Sequence, residues 1–278
     1  MPAVSFLRIS HLGEENENVA DVRVGIQLAS LRLPFKAAIE TAARLGAEAV
    51  EVDARGEITP QALSQTGLRQ IRKLLEDYNL RVCAVGFRTR RGYNDPDRLV
   101  ERIEATKAAM DFAYRLGANV VINHVGRVPE EAGGADWNLL IDVLGQLGRH
   151  AEKAGAFLAA ETGSESGPQL ARLIAALPEG ALRVNFDPGN LAVNNFSVTE
   201  AVEVLGPQII HVHAKDGVRD FAQGRGVEVP LGRGSVDFPN LLGSLAERGY
   251  QGYYTVEREN AADPINEVAY AVQYLKNM

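Results

Sequence analysis

The sequence predicts a single (β/α)₈ TIM barrel of the α/β class, on three observations. Short apolar runs alternate with helical segments in eight β-then-α units. The runs are continuously apolar rather than alternating, as expected of parallel strands covered on both faces. Several helices also end in one cue, RLGA, RLGA, KAGA or RGYQG, where glycine stops the helix just before the next strand. Eight such units with right-handed crossovers close on themselves. An open doubly wound sheet would carry a Gly-rich phosphate turn after its first strand, and GIQLASLRLP is not one.

The elements follow in order. RVGIQL (23–28) is the first strand, and PFKAAIETAARLG its helix, with Pro34 at the start and Gly46 at the end. AEAVEVD (47–53) is followed by an amphipathic helix over 60–78, with Leu68, Ile71, Leu74 and Leu75 on its apolar face. LRVCAVGF (80–87) precedes a helix expected to be capped by Asp95, opened by Pro96 and to run to Leu116. ANVVINHV (118–125) leads into WNLLIDVLGQLGRHAEKAG, AFLAAE (156–161) into PQLARLIAAL, and LRVNFD (182–187) into a short helix around VTEAVEVLG. QIIHVHAKD (208–216) leads into FPNLLGSLAERG, and YYTVE (253–257) into the closing helix. The expected domain spans 23–278, after an acidic leader over 1–22 that could be disordered or lie across a partner subunit.

Composition narrows the function. A net charge of −7 and a pI near 5.4 oppose polyanion binding as the main role, so no nucleic-acid partner is expected. No run approaches the roughly 18 apolar residues of a membrane span, and the leader lacks the basic start and apolar core of a signal peptide. The lone Cys83, in an apolar strand, excludes an internal disulfide. The cytoplasm is the expected compartment.

Four residues stand where late strands run out: Glu161 in FLAAETG, Asp187 in RVNFDPGN, His213 in IIHVHAKD and Glu257 in YYTVEREN. Barrel chemistry gathers at the C-terminal ends of strands, and these are the ends of strands five to eight, so the four side chains surround one quadrant of the mouth. Three carboxylates and an imidazole make a hard, oxygen-rich site for one divalent cation.

The combination of FDPGN, HVHAKD, GRGSVDFPNLL and TVERE resembles the xylose isomerase-like barrel superfamily, in its sugar phosphate isomerase/epimerase-like branch, over roughly 23–276. The resemblance implies one ion (Mn²⁺, Mg²⁺, Co²⁺ or Zn²⁺) held by Glu161, Asp187, His213 and Glu257. It also implies Glu161 and Glu257 as the groups that move a proton on either side of a substrate carbon. The implied substrate is a small ketose or keto-sugar derivative. Dehydration of a keto-cyclitol or dehydroshikimate-like acid uses the same parts, and a partner-dependent or non-catalytic barrel subunit is the reading from a different class. Family habit favours a homodimer or tetramer. One position departs from the epimerase pattern: their histidine three residues after the metal aspartate is Asn190 here, able to hydrogen-bond a sugar hydroxyl but not to shuttle a proton. Asn190 and the few histidines also oppose the three-zinc apurinic endonuclease of the superfamily.

Other residues carry two readings each. His124 ends strand four and is either a substrate contact or an ordinary strand-end histidine. His211 shares the facing of His213 one layer deeper, as a partner of the ligand or a packed core residue, and His150 and His11 read as surface residues. Glu165 and Lys215 either orient a substrate hydroxyl, pair with a ligand carboxylate or are solvated loop charges. Glu259 keeps the facing of Glu257 if the strand continues. Related epimerases place a substrate-binding arginine where Arg219 stands, and Glu51 closes strand two as a candidate substrate contact. Arg88, Arg90 and Arg91 form either a solvated loop or a gate or anion clamp. Trp137 and Phe87 could stack on a sugar ring or simply pack.

Overall fold

The computed structural model describes residues 22–219 and 226–278. The leader, apart from Val22, lies outside the described residues, His11 with it. Eight parallel strands close the barrel in the order β1-β10-β7-β6-β5-β4-β3-β2. They are β1 (Val24–Gln27), β2 (Ala49–Asp53), β3 (Arg81–Gly86), β4 (Val120–Asn123), β5 (Phe157–Glu161), β6 (Arg183–Phe186), β7 (Ile209–Ala214) and β10 (Tyr254–Val256). The two remaining strands, β8 (Asp216–Val218) and β9 (Val227–Val229), form an antiparallel hairpin beyond β7.

The helices are α1 (Phe35–Arg44), α2 (Gln65–Asp77), α3 (Leu99–Leu116), α4 (Ala135–Ala154), α5 (Gly167–Ala175), α6 (Pro188–Val193), α7 (Val198–Leu205), α8 (Phe238–Glu247) and α9 (Pro264–Lys276). None of the described helices is long and apolar enough to cross a membrane. Their apolar faces and the outward faces of the strands build the main core, from Ile39 and Leu68 to Phe238 and Leu275. Inside the barrel a small separate cluster, Ala84, Val120, Ile122 and Ala159, fills the β3–β5 side. The β6–β10 side is filled by hydrogen-bonded polar groups instead: Asn185, His211, His213 and Thr255 are all buried.

Three local expectations are corrected. Asp95 does not cap α3: its carboxylate accepts from the Asp97 backbone N–H at 2.9 Å, so Asp95 and Pro96 form a turn and the helix begins at Leu99. The residue before a proline is biased away from helix, and Arg98 takes the left-handed region, φ 51°, just before the first turn. Helix α6 begins at Pro188, one residue past the end of the sixth strand's expected span. The seventh run does not continue unbroken to 216: barrel pairing stops at Ala214 and the hairpin starts at Asp216.

Candidate metal centre

The loop leaving each late strand is anchored so that its acid points inward. The Asp187 N–H donates to Thr162 Oγ1 (2.8 Å), and that hydroxyl donates back to the Asp187 carbonyl (3.1 Å), locking the exits of β5 and β6 together. Asp187 is also the N-cap of α6, its Oδ1 accepting from the Asn190 N–H at 2.8 Å. One oxygen of the carboxylate is thereby committed to the helix, and Oδ2 accepts no hydrogen bond.

Glu161, Asp187, His213 and Glu257 each offer a ligand atom within 4.8 Å of the others, and all four are buried. His213 is the hub. Its Nδ1 lies 2.8 Å from Glu257 Oε2, 3.1 Å from Glu161 Oε1 and 3.9 Å from Asp187 Oδ2. Its Nε2 lies 2.8 Å from Glu51 Oε2, on the opposite side of the ring. Three carboxylates buried with oxygens within 4.8 Å of one another repel, and two of their oxygens, Glu161 Oε2 and Asp187 Oδ2, accept no hydrogen bond. A hard divalent cation is the group that this donor set fits. A carboxylate behind a ligating imidazole, as Glu51 stands behind His213, is the usual way to fix such a ring.

Titration follows from the crowding. Burial raises Asp187 to about 8, with Lys215 opposing and the charges of Glu257 and Glu161 adding to the rise. Burial and Glu257 also push Glu161 up, but its hydrogen bond to His213 and the charges of His213 and His124 hold it at about 2. Glu257 is pulled well below the carboxylate range, against burial, by His213, Lys215 and Arg88. His213 is driven well above the histidine range because Glu257, Glu51 and Glu161 outweigh its burial.

The other anticipated residues divide. His124 sets Nε2 3.1 Å from Glu161 Oε2 with its side chain 40% exposed, so it stands at the edge of the mouth. Asn190 brings Nδ2 to 3.5 Å from Glu161 Oε1. Lys215 is buried, 3.6 Å from Asp187 Oδ2, 3.5 Å from Glu257 Oε2 and 3.1 Å from Glu259 Oε2. Glu165, on the loop after Glu161, is buried with Oε2 accepting no hydrogen bond, and burial raises it to about 7 against a hydrogen bond from Ser164. Arg219 reaches Asn195 Oδ1 at 2.6 Å and lines a cavity of about 440 Å³ beside α7 and α8 that no quartet residue lines. Glu51 sits beneath the mouth: it is buried, its Oε1 accepts from Gln27 Nε2 at 3.2 Å, and its other oxygen faces His213.

Two contributors were not singled out in the sequence. Gln27 at the end of β1 donates to Glu257 Oε1 at 2.9 Å as well as to Glu51. Asn185 joins His211 to His213. The arginine run splits: Arg88 pairs with Glu257 and, at 2.5 Å, with Glu259, whereas Arg91 pairs with Asp95 and Asp97 on its own loop. Thr89 fixes that loop by donating from N and Oγ1 to Asn123 Oδ1. Trp137 and Phe87 are buried, each under an arginine, Arg172 and Arg55 respectively.

A second cluster, Glu51 with His211 and His213, is also close enough for a metal. His211 already spends both ring nitrogens, on Thr255 and Asn185, and burial with the neighbouring His213 holds it neutral. A cavity of about 620 Å³ opens at the opposite end of the barrel, lined by Arg23, Arg72, Arg81, Cys83 and His211. Volume and chemistry thus lie at different ends, and barrel chemistry belongs to the end with the converging acids.

Comparison with known proteins identifies the barrel's family. The chain is 26% identical over 246 residues to an inosose dehydratase of Clostridium botulinum, covering 75% of this chain and 80% of the relative. It is 26% identical over 245 residues to a fructoselysine 3-epimerase of Escherichia coli O157:H7, covering 81% and 86%. A xylose isomerase domain protein from Planctomyces limnophilus superposes with a TM-score of 0.82 at 25% identity, over 92% of this chain and 96% of that one. Residues 39–278 match the model of the xylose isomerase-like TIM barrel family, and the chain belongs to that family.

Proposed function

We propose that the chain is a divalent-metal-dependent sugar isomerase or epimerase that moves a proton next to the carbonyl of a ketose or keto-sugar derivative. The observation that carries this reading is the quartet: four buried ligand groups within 4.8 Å, with two carboxylate oxygens left without hydrogen bonds. An ion held there would polarise the substrate carbonyl and its neighbouring hydroxyl, lowering the barrier to losing the C–H proton between them.

The protein's own part is proton movement and positioning. Glu161 and Glu257 are both ionised at neutral pH, so each can accept a proton from carbon and return it. They approach His213 Nδ1 from different strands, β5 and β10, which supports a division into one acid/base group per substrate face. His124 and Asn190, beside Glu161, are suited to a substrate hydroxyl. Arg88 on Glu257 is suited to a gate, because a substrate reaching that carboxylate must displace it. Arg219, in the cavity beside α7 and α8, remains a candidate only for a substrate long enough to reach from the quartet into that cavity.

Dehydration of a keto-cyclitol is the second reading. Loss of water needs an acid for the departing hydroxyl, and Glu165, buried and poised at about 7, suits that task. The resemblance to an inosose dehydratase points the same way.

The test begins with metal content of protein purified without chelator, beside Glu161→Ala/Asp187→Ala. About one ion per chain, lost in the variant, is expected. Ketoses and keto-cyclitols are then incubated with the Mn²⁺-loaded protein in D₂O. Deuterium at carbon without a new chromophore indicates epimerisation or isomerisation, and a conjugated product indicates dehydration. No ion in the native protein, even after Mn²⁺ addition, removes the proposal.

A further inference from the structure

The loops after β2 and β3, with the first turns of α3, enclose a further cavity of about 400 Å³ whose wall is dominated by arginine. Loops that follow barrel strands stand at the same end as the converging acids. Thr89, in this wall, donates from Oγ1 to Asn123 Oδ1 (2.9 Å) and to the His124 carbonyl (3.4 Å) at the exit of β4. His124 in turn reaches Glu161 Oε2 at 3.1 Å. One chain of contacts therefore joins the cavity wall to the quartet.

The wall carries five arginines and two acids, and the charges do not cancel. Arg91 is paired with Asp97 at 2.7 Å and Arg98 with Glu101 at 3.7 Å. Arg102 donates through both terminal nitrogens, but to the main-chain carbonyls of Asp97 and Asp95, which carry no charge. Its Nε is buried and has no acceptor. Arg55 lies over the Phe87 ring at 5.2 Å, and neither it nor Arg90 has an acidic partner among the described residues. Three uncompensated positive charges thus line one cavity, in a chain whose net charge is −7. Like charges gathered this way repel, and an anion between them relieves the repulsion. The planar guanidinium fork matches the oxygens of a phosphate or carboxylate.

We infer that this cavity is an oxyanion site, in which Arg55, Arg90 and Arg102 take a phosphate group. Arg90 is two residues from Arg88, which pairs with Glu257, and their Cα atoms are at most about 7 Å apart. An anion held by Arg90 therefore bears on the loop that carries the Glu257 contact. Two sources share this chemistry: the phosphate of a phosphorylated keto-sugar whose carbonyl lies at the quartet, and a separate phosphate-bearing metabolite. The site itself is independent of any ion, and only the first source rests on the metal reading.

Calorimetric titration of the full chain, dialysed free of metal, with inorganic phosphate tests the site. Binding is expected in wild type, with a loss of about tenfold in each of Arg55→Gln and Arg90→Gln. Both side chains are exposed, so neither substitution disturbs the core. Arg81→Gln, in the cavity at the opposite end of the barrel, is expected to bind like wild type. No binding of millimolar phosphate by wild type overturns the inference. So does binding that survives Arg55→Gln/Arg90→Gln, or that is lost in Arg81→Gln instead. Fructose 6-phosphate and inorganic phosphate are then compared with and without Mg²⁺. Tighter binding of the sugar phosphate alone when Mg²⁺ is present assigns the anion to a substrate that reaches the quartet. Mg²⁺-independent binding of both assigns it to a separate metabolite at the same site. Phosphate binding in a chain that takes up no ion sinks the metal reading and leaves the oxyanion site standing, so the two failures are distinguishable.

Discussion

The two halves of the barrel contribute differently to its mouth. Strands β5, β6, β7 and β10 deliver Glu161, Asp187, His213 and Glu257, the four groups that converge. Strands β1 to β4 and the loop after β3 deliver Gln27, Glu51, Arg88 and His124, each of which touches a member of that quartet. One half supplies donors that repel one another, and the other supplies hydrogen bonds and charge that hold those donors in place. Closing a barrel brings the two together, because β1 pairs with β10. A candidate site of this kind is therefore a property of the whole ring, although its ligands come from half of it.

The sharpest way to break that distinction is to change one residue in each half. Glu257→Gln is expected to cost on the order of 10³-fold in turnover and to weaken Mn²⁺ binding, with the circular dichroism spectrum unchanged. Glu51→Gln in the supporting half is expected to cost roughly 10- to 100-fold in Mn²⁺ affinity measured by calorimetry. If Glu51→Gln matched Glu257→Gln in both readouts, the division between ligand and support would collapse.

Glu165 refines the comparison from within the ligand half. Its folded-state pKa of about 7 lies above the ordinary 4.5, so the fold prefers the protonated acid. The stability this lends is fully present below about pH 4.5 and is lost as pH rises through about 7. Glu165→Gln is therefore expected to stabilise the protein by about 3 kcal/mol at pH 8 and by close to nothing at pH 4.5, as read by urea unfolding. An equal effect at both pH values would remove the titration account. The smallest effect is expected one residue further on. Ser166 caps α5 in a reciprocal box with Gln169, and Ser166→Ala should cost about 1 kcal/mol of stability without changing Mn²⁺ affinity.

The sequence was most informative where chemistry repeats locally. Eight units, their glycine stops and the four strand-end residues were all legible, because strand ends are marked by the polar residues that follow an apolar run. Helix α6 was missed because PGNLAV is too short to show a helical period, although Asp187 followed by Pro188 is a start signal. Gln27 and Asn185 read as ordinary polar residues in apolar runs. Their partners in the site lie 24 and 230 residues away for Gln27 and 26 and 28 away for Asn185, and no local pattern encodes such distances. Glu51 was placed at the right strand end, but whether a carboxylate there faces substrate or a neighbouring ring depends on the register across β1, β2 and β10.

Asp216 carries a consequence for how such a protein changes over time. Its carboxylate accepts from the backbone N–H groups of Gly217, Gly232, Gly234 and Val236, so one side chain at the exit of β7 suspends the segment after β9 by its main chain. The two bonded glycines of that segment are demanding: Gly232 has φ 74°, and a Cβ on Gly234 would lie 2.0 Å from the Asp216 carboxylate. The positions between and beside them, such as Arg233 and Ser235, are tethered through no side chain of their own to Asp216. Mutation can therefore sample new side chains there while the segment keeps its path, because what holds the path is main chain bonded to one carboxylate.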